Sequence, residues 1–137
     1  AGIPGFVPSA HISPLTAICD DWVAVAEQLM GSPYRWGGRA STGLDCSALV
    51  QLSLAVAGKA VPRDSGPQHA IGYALDETDE LQRGDLVFWA GHVGIMQDGD
   101  RLLHANAHHM AVASEPLTAA IGRIAATAGP VTARRRP

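Results

Sequence analysis

The period of the apolar residues changes once along this chain, and this change restricts the fold more than any other feature of the sequence. The first part has apolar residues at helical spacing, namely Leu15, Ile18, Trp22, Val25 and Leu29. This spacing predicts an amphipathic helix over residues 14–30, with Ser13 as its N-cap. A second, fully buried helix is predicted over residues 45–57, and a short third helix near residues 65–68.

Further along the chain the apolar runs become short and are separated by turn residues. Strands are predicted at 86–89, 93–96, 102–105 and 110–113, with a hairpin turn at Gln97–Asp100. Helices followed by consecutive strands are typical of an α+β fold with an antiparallel sheet. We therefore expect an α+β domain in which a central antiparallel sheet packs against helices.

The length and charge of the chain limit the classes of function. Its 137 residues are enough for one domain with a real core, and its formal net charge is −3 at pH 7. A weakly acidic balance argues against a nucleic-acid partner. The basic run Arg134–Arg136 is short, so we expect a solvated and frayed terminus there. No apolar run is long enough to span a bilayer.

The sequence constrains the processing of the protein and its cellular compartment only partly. No signal peptide is recognised, and the chain begins at Ala1 rather than Met, which we interpret as a processed or trimmed piece of a longer protein. Two cysteines cannot form a disulfide framework, so a cytoplasmic and a periplasmic or secreted location both stay open.

Cys46 is the strongest candidate for a reactive side chain. A Gly-rich stretch over residues 37–43 delivers it to the start of the second predicted helix. Backbone N–H groups and the helix dipole stabilise a thiolate at such a position. Most single cysteines are inert apolar residues, and Cys19, in an apolar stretch, fits that description. Position by itself leaves a reactive and a structural role for Cys46 both open.

Two histidines follow at the start and near the end of successive predicted strands. His92 and His104 would supply a base and an orienting group for a Cys46 nucleophile. A two-residue turn at Asp98-Gly99 would put the two imidazoles on opposite faces. We therefore predict an odd-length or bulged turn with Gly99 in the left-handed conformation, His92 and His104 side by side, and Cys46 facing His92.

Six short motifs occur in an order that resembles a known family. They are Pro33–Gly38 (PYRWGG), Gly43–Ser47 (GLDCS), Pro62–Gln68 (PRDSGPQ), Leu81–Phe88 (LQRGDLVF), His92–Ile95 (HVGI) and Leu103–His104. Over about residues 22–124 the chain resembles the NlpC-type family of papain-like bacterial cell-wall peptidases. The resemblance implies a papain-like fold with the nucleophile at a helix N-terminus. It also implies a cysteine endopeptidase without a cofactor that cuts the bond between γ-D-glutamate and a diamino acid in peptidoglycan stem peptides.

The same resemblance implies roles for individual residues. Cys46 is the nucleophile, His92 the base and His104 the third member of the triad. Tyr34 would help to stabilise the oxyanion together with the Cys46 backbone N–H. The family usually has Gly where this chain has Ala48, which affects close packing of that helix turn.

The Pro-Arg-Asp-Ser segment further resembles the family branch that cleaves short muropeptides with a free N-terminal L-Ala. In that branch Asp45 would pair with the substrate α-ammonium, while Ser47 and Ser65 would contact the γ-D-Glu portion. Residues 1–13 are expected to be a linker or the end of a preceding Src-homology-three-like domain. Residues 14–125 would then form the catalytic domain, and residues 126–137 a C-terminal tail.

Other interpretations are weaker. His104, His108 and His109 are close in sequence, but a predicted turn at Asn106-Ala107 breaks metal-binding spacing, so no metal site is expected. Trp36 and Trp89 are expected to pack in the core. The alternative functions are a thiol acyltransferase or amidase on the same scaffold, and a non-catalytic wall-binding domain. The intact Cys46, His92 and His104 set argues against the last of these.

Overall fold

The computed structural model describes residues 5–9, 12, 14, 17–40 and 42–137, and within them four helices and eight strands form. In chain order these elements are α1 (Trp22–Gln28), β1 (Arg39–Ala40), β2 (Gly43–Leu44), α2 (Cys46–Val56), α3 (Ser65–Gln68), β3 (Tyr73–Leu75), β4 (Leu86–Trp89), β5 (His92–Met96), β6 (Arg101–Asn106), β7 (Ala111–Pro116), α4 (Leu117–Ala128) and β8 (Ala133–Arg136). The strands predicted from the sequence are confirmed to within a few residues at their ends.

Six strands form one antiparallel sheet in the order β3-β8-β4-β5-β6-β7. Alternate residues of the central strands point to opposite faces, because successive side chains of a strand alternate. One face packs under α1 and α2 and includes Phe88, Val93 and Leu103. The other face packs under α4 and includes Trp89 and Leu102. The prediction of an α+β fold built on an antiparallel sheet is confirmed.

Helix α2 is the central helix of the domain, as its sequence predicts. Asp45 caps it by accepting a hydrogen bond from the Ala48 backbone N–H at 2.9 Å. Its apolar residues are fully buried, namely Ala48, Leu49, Val50 and Leu54. The helix packs against β5 and β6 on one side and α1 on another, so its first residue is fixed beside the sheet.

Helix α1 is shorter than predicted. It begins at Trp22, and residues 17–20 are not helical, whereas Ser13 lies outside the described residues. The N-cap is Asp21, whose carboxylate accepts from the Ala24 backbone N–H at 3.2 Å. That carboxylate also pairs with Arg83 at 2.9 Å. A cap with two partners stops the helix here, although the apolar spacing extends further upstream.

The C-terminal residues are not a frayed end, so that expectation is wrong. Helix α4 extends past residue 126, and β8 then pairs with both β3 and β4 inside the sheet. Arg136 on β8 donates to the carboxylate of Asp85 through two nitrogens, each at 2.7 Å. Asp85 is fully buried, so its charge needs this partner. The basic run therefore supplies a strand that has a neighbour on each side.

The hairpin between β5 and β6 has the odd-length turn that the sequence predicts. Gln97 N donates to Arg101 O at 2.8 Å, so residues 98–100 form the loop. Gly99 does not have a positive φ, which corrects its expected left-handed conformation. Instead the Asp98 side chain accepts from the backbone N–H groups of Asp100 and Arg101, both at 2.8 Å.

We expect Arg136→Gln to destabilise the domain strongly, because it leaves the buried Asp85 carboxylate without its cation. Loss of the cation from such a pair lowers the free energy of unfolding. Urea unfolding followed by circular dichroism measures the change. Arg134→Gln on the same strand is the matched control, since Arg134 donates to the Glu77 carbonyl at 3.2 Å. Equal small effects of both substitutions would contradict the importance of this pair.

Candidate active site

Cys46 is the first residue of α2 and is 7% exposed. Backbone N–H groups of Val93, Ser47 and Cys46 itself favour the thiolate form of this side chain. Cys46 and Val93 belong to the same buried cluster, and α2 packs against β5, in which Val93 follows His92. The start of α2 therefore lies near the start of β5, and the predicted contact between Cys46 and His92 stays a prediction.

Burial decides the protonation states of Cys46 and His92 in the free protein. Burial raises the pKa of the Cys46 thiol, and the Asp45 carboxylate adds to this against the facing backbone N–H groups. Burial also lowers the pKa of His92 to about 3, with His104 and Arg123 contributing. Both shifts favour a neutral thiol beside a neutral imidazole. The sequence argument expects a stored thiolate, and it misses the cost of desolvating one.

His92 and His104 are hydrogen-bonded through their rings. Nε2 of His92 lies 2.8 Å from Nδ1 of His104, and the ring centroids are 5.0 Å apart. In the register of the hairpin Ile95 lies opposite Leu103, which puts His104 opposite Gly94 rather than directly opposite His92. The two rings therefore meet diagonally on one face of the sheet, and this contact does not use Nδ1 of His92.

Two charged residues continue this series, and the sequence analysis missed both. Nε2 of His104 lies 2.7 Å from Oε1 of Glu115 on β7, and Arg123 of α4 pairs with the same carboxylate oxygen. The fourth predicted strand ended at residue 113, short of Glu115. The signal in the sequence was an acidic residue two positions beyond the fourth predicted strand, which follows the predicted strand of His104.

Asp45 is surrounded by donors from the protein. Arg63 donates to its two carboxylate oxygens at 2.9 and 2.7 Å, and the Gly37 and Ala48 backbone N–H groups donate at 2.9 Å each. Burial raises the pKa of Asp45, but Arg63 and the backbone donors outweigh it and hold the pKa below its ordinary value. A substrate ammonium at Asp45 would have to share the carboxylate with Arg63.

The four predicted substrate-binding residues come together. A cavity of about 230 Å³ is lined by Cys46 and by Tyr34, Asp45, Ser47, Ser65, Asp64, Trp36 and Gly91. Trp36 is 87% exposed at its rim, so its predicted core position is wrong, whereas Trp89 is buried in the core as expected. The structure thus puts the predicted residues around one cavity, and their roles stay predictions.

A second cavity, of about 310 Å³, shares Tyr34 with the first. Its lining also includes His92, Asn106, His108, Arg123 and Thr127. The backbone N–H of Tyr34 donates to the Met110 carbonyl at 2.9 Å, which holds this residue in place. Burial raises the pKa of Tyr34, with the Cys46 and Asp45 charges adding, so its hydroxyl keeps its proton and can donate.

One group of side chains in the described residues has the spacing of metal ligands. Ligand atoms of His104, His109 and Glu115 lie within 4.8 Å of one another. This set contains Glu115, whereas the three histidines considered from the sequence included His108 instead. Glu115 is already paired with Arg123, so a metal ion would compete with a guanidinium for the carboxylate. The absence of a metal site stays a prediction.

Among the helices of the described residues, none has the length and apolar character that a membrane span requires.

The sequence of this chain is similar to the sequences of named peptidases, and its fold is similar to that of a solved protein structure. A gamma-D-glutamyl-L-lysine dipeptidyl-peptidase of Bacillus cereus is 39% identical over 79 residues, which are 58% of this chain and 23% of that protein. A bifunctional muramidase/DL-endopeptidase of Bacillus subtilis is 36% identical over 108 residues, covering 70% of this chain and 32% of that protein. The chain therefore spans less than a third of the length of these two relatives.

A solved structure of an NlpC/P60 family protein from Bacillus cereus superposes with a TM-score of 0.74 at 31% identity, covering 85% of this chain and 39% of that chain. The arrangement of helices and antiparallel sheet is therefore the papain-like one that the motifs implied. The pattern of the NlpC/P60 family matches residues 31–122, which include Cys46, both histidines of the hydrogen-bonded pair and Glu115. The chain belongs to the NlpC/P60 family.

Proposed function

We propose that this domain is a cysteine endopeptidase that hydrolyses the γ-D-glutamyl–diamino acid bond of peptidoglycan stem peptides or muropeptides. The observation that carries the proposal is the packing of α2, which begins at Cys46, against β5, which begins at His92, with His92 hydrogen-bonded to His104. Of the two relatives described above, one is named for the γ-D-glutamyl-L-lysine bond and the other is named as a muramidase and DL-endopeptidase. The family membership, the cavity lined by Cys46 and the cavity lined by His92 support the same activity.

The neutral pair works by general-base catalysis. Nδ1 of His92 takes the thiol proton as the Cys46 sulfur forms a bond to the scissile carbonyl carbon. The carbonyl electron pair moves onto oxygen, which accepts hydrogen bonds from the Tyr34 hydroxyl and the Cys46 backbone N–H. His92 then gives its proton to the leaving amine as the C–N bond breaks. Water, deprotonated by His92, cleaves the resulting thioester and restores the thiol.

The two cavities divide the substrate at the scissile bond. The γ-D-Glu portion would lie in the cavity with Ser47 and Ser65, whose hydroxyls can donate to its carboxylate. The leaving diamino acid would lie in the cavity beside His92, which protonates its amine. Tyr34, at the boundary, is placed for the carbonyl between them.

The substrate ammonium is better matched by Asp64 than by the predicted Asp45. Asp64 lines the same cavity as Cys46 and accepts no capping hydrogen bond from α3. Asp45 is engaged by Arg63 and by two backbone donors. We therefore assign Asp45 to the support of the loop and of the helix start, and Asp64 to the free amine of an N-terminal L-Ala.

We expect Cys46→Ala and His92→Ala each to reduce kcat/KM on a tripeptide L-Ala-γ-D-Glu-diamino acid by about 10³-fold or more. The two residues act as one unit, so the double variant should lose little beyond either single one. His104→Ala should lose less, because it orients and does not transfer the proton. Mass spectrometry of the products measures cleavage, and a transferred acyl group in place of hydrolysis would indicate the acyltransferase. Full activity of Cys46→Ala would reject the proposal.

Blocking the substrate amine should show which of the two carboxylates in the cavity, Asp45 or Asp64, binds it. Wild type should favour a free L-Ala amine over an N-acetylated one by about tenfold or more, as for a charge-assisted hydrogen bond. Asp64→Asn should lose this preference, while Asp45→Asn should mainly lower stability. A folded Asp45→Asn that loses the preference, with Asp64→Asn retaining it, would restore the role predicted for Asp45.

The pH dependence of the alkylation rate reports the protonation state of Cys46 in the free protein. The raised thiol pKa and the lowered His92 pKa both reduce the thiolate fraction near neutral pH. In a Cys19→Ser background, the iodoacetamide rate should therefore rise about tenfold per pH unit from pH 6 to 8. Mass spectrometry follows the modification, with Cys46→Ala as the blank. A rate independent of pH across this range would show a preformed thiolate–imidazolium pair.

A further inference from the structure

We propose that Glu115 is a positioning residue that fixes the tautomers of His104 and His92 through a one-way series of hydrogen bonds. This role rests on the proposed function, since the tautomer matters because His92 must serve Cys46 as a base. The residues involved are His92 on β5, His104 on β6, Glu115 on β7 and Arg123 on α4. Three neighbouring strands and the covering helix each contribute one of them.

The hydrogen bond between the two rings needs one donor and one acceptor. If His92 is to take a proton at Nδ1, its own ring proton must be at Nε2. That nitrogen lies 2.8 Å from Nδ1 of His104, so the His104 nitrogen must accept. The ring proton of His104 then has to be at Nε2. The opposite direction of donation would put a proton on Nδ1 of His92 and block the base.

Glu115 selects between the two directions. Its Oε1 lies 2.7 Å from Nε2 of His104, and an ionised carboxylate accepts hydrogen bonds and donates none. His104 is fully buried, so the reverse tautomer would leave two acceptors facing each other without water to separate them. The carboxylate therefore imposes donation from His92 to His104 and from His104 to Glu115.

Arg123 holds the carboxylate in place. Its guanidinium pairs with the Oε1 atom that faces His104, and the Arg123 side chain is 28% exposed while that of Glu115 is 12% exposed. A cation at this place opposes protonation of both rings. When His92 becomes an imidazolium during the reaction, the negative end of the series lies two hydrogen bonds away and stabilises the charge.

The ring tautomers can be measured directly. The chain has six histidines, so ¹⁵N-histidine labelling with long-range ¹H–¹⁵N spectra is tractable, and a His92→Asn and a His104→Asn spectrum assign the two signals. Wild type near neutral pH should show both residues as Nε2–H tautomers. A wild-type protein with His92 or His104 in the Nδ1–H form overturns the proposal, whether or not a muropeptide is cleaved.

Two variants of Glu115 separate positioning from packing. Glu115→Leu removes the acceptor and should reduce kcat at least tenfold with KM within about twofold, while both rings shift toward a mixture of tautomers. Glu115→Gln keeps an amide oxygen that can accept from both Arg123 and His104. It should retain the Nε2–H tautomers and keep kcat closer to wild type.

The outcomes are distinct. Wild-type kcat and tautomers in Glu115→Leu would overturn the proposal, and so would a loss of kcat with unchanged tautomers, which would assign Glu115 to packing only. If Glu115→Leu does not fold, Glu115→Gln and the wild-type spectrum decide. Wild-type tautomers as expected, in a protein that cleaves no muropeptide, would uphold the series of hydrogen bonds and reject the peptidase function instead.

Discussion

The burial of α2 against β5 and β6 is the constraint on which the site depends. Four apolar residues of this helix are fully buried, so the helix has no stable place outside the core. Its first residue is then brought to the start of β5, and the sulfur is carried into a desolvated position. Desolvation outweighs the helix N-terminus, because backbone N–H groups offset only part of the lost hydration of a thiolate. The arrangement that aligns Cys46 thus also keeps it protonated.

The ion pair between Asp45 and Arg63 fixes the loop beside α2, which apolar packing alone does not hold. The side chain of Asp45 is 14% exposed and that of Arg63 is 28% exposed, and their pair ties the loop at Gly37 and the start of α2 to the segment after α2. Without a fixed loop, Cys46 would be on the right helix but at an uncertain angle to the carbonyl. Catalysis depends on such placement to within a fraction of an ångström. Asp45 and Arg63 therefore matter to the chemistry even if neither touches the substrate.

Local patterns predicted what is decided locally. The period of the apolar residues and the cap at Asp45 were sufficient for α2 and for the central strands. The start of α1 was missed because Asp21 gains a partner, Arg83, that is remote in sequence. Strand β8 was missed because a basic run is typical of solvent, and its buried partner Asp85 is 51 residues away. Glu115 was missed because the fourth predicted strand ended at residue 113, and because its contact with His104 depends on the register of β6 with β7, which was not predicted.

Cys46 and His92, the proposed nucleophile and base, belong to opposite faces of the sheet, so the turn that precedes His92 matters for the site. Cys46 packs with the face under α2, whereas the ring of His92 lies in the cavity lined by α4. Side chains from two faces can meet only at the end of a strand. The pairing of Trp89 with His92 leaves a two-residue turn, and its second residue, Gly91, has φ 72° and lines the Cys46 cavity. A Cβ at Gly91 would have room but the wrong backbone conformation, so glycine there serves the tight turn that ends the sheet beside the thiol.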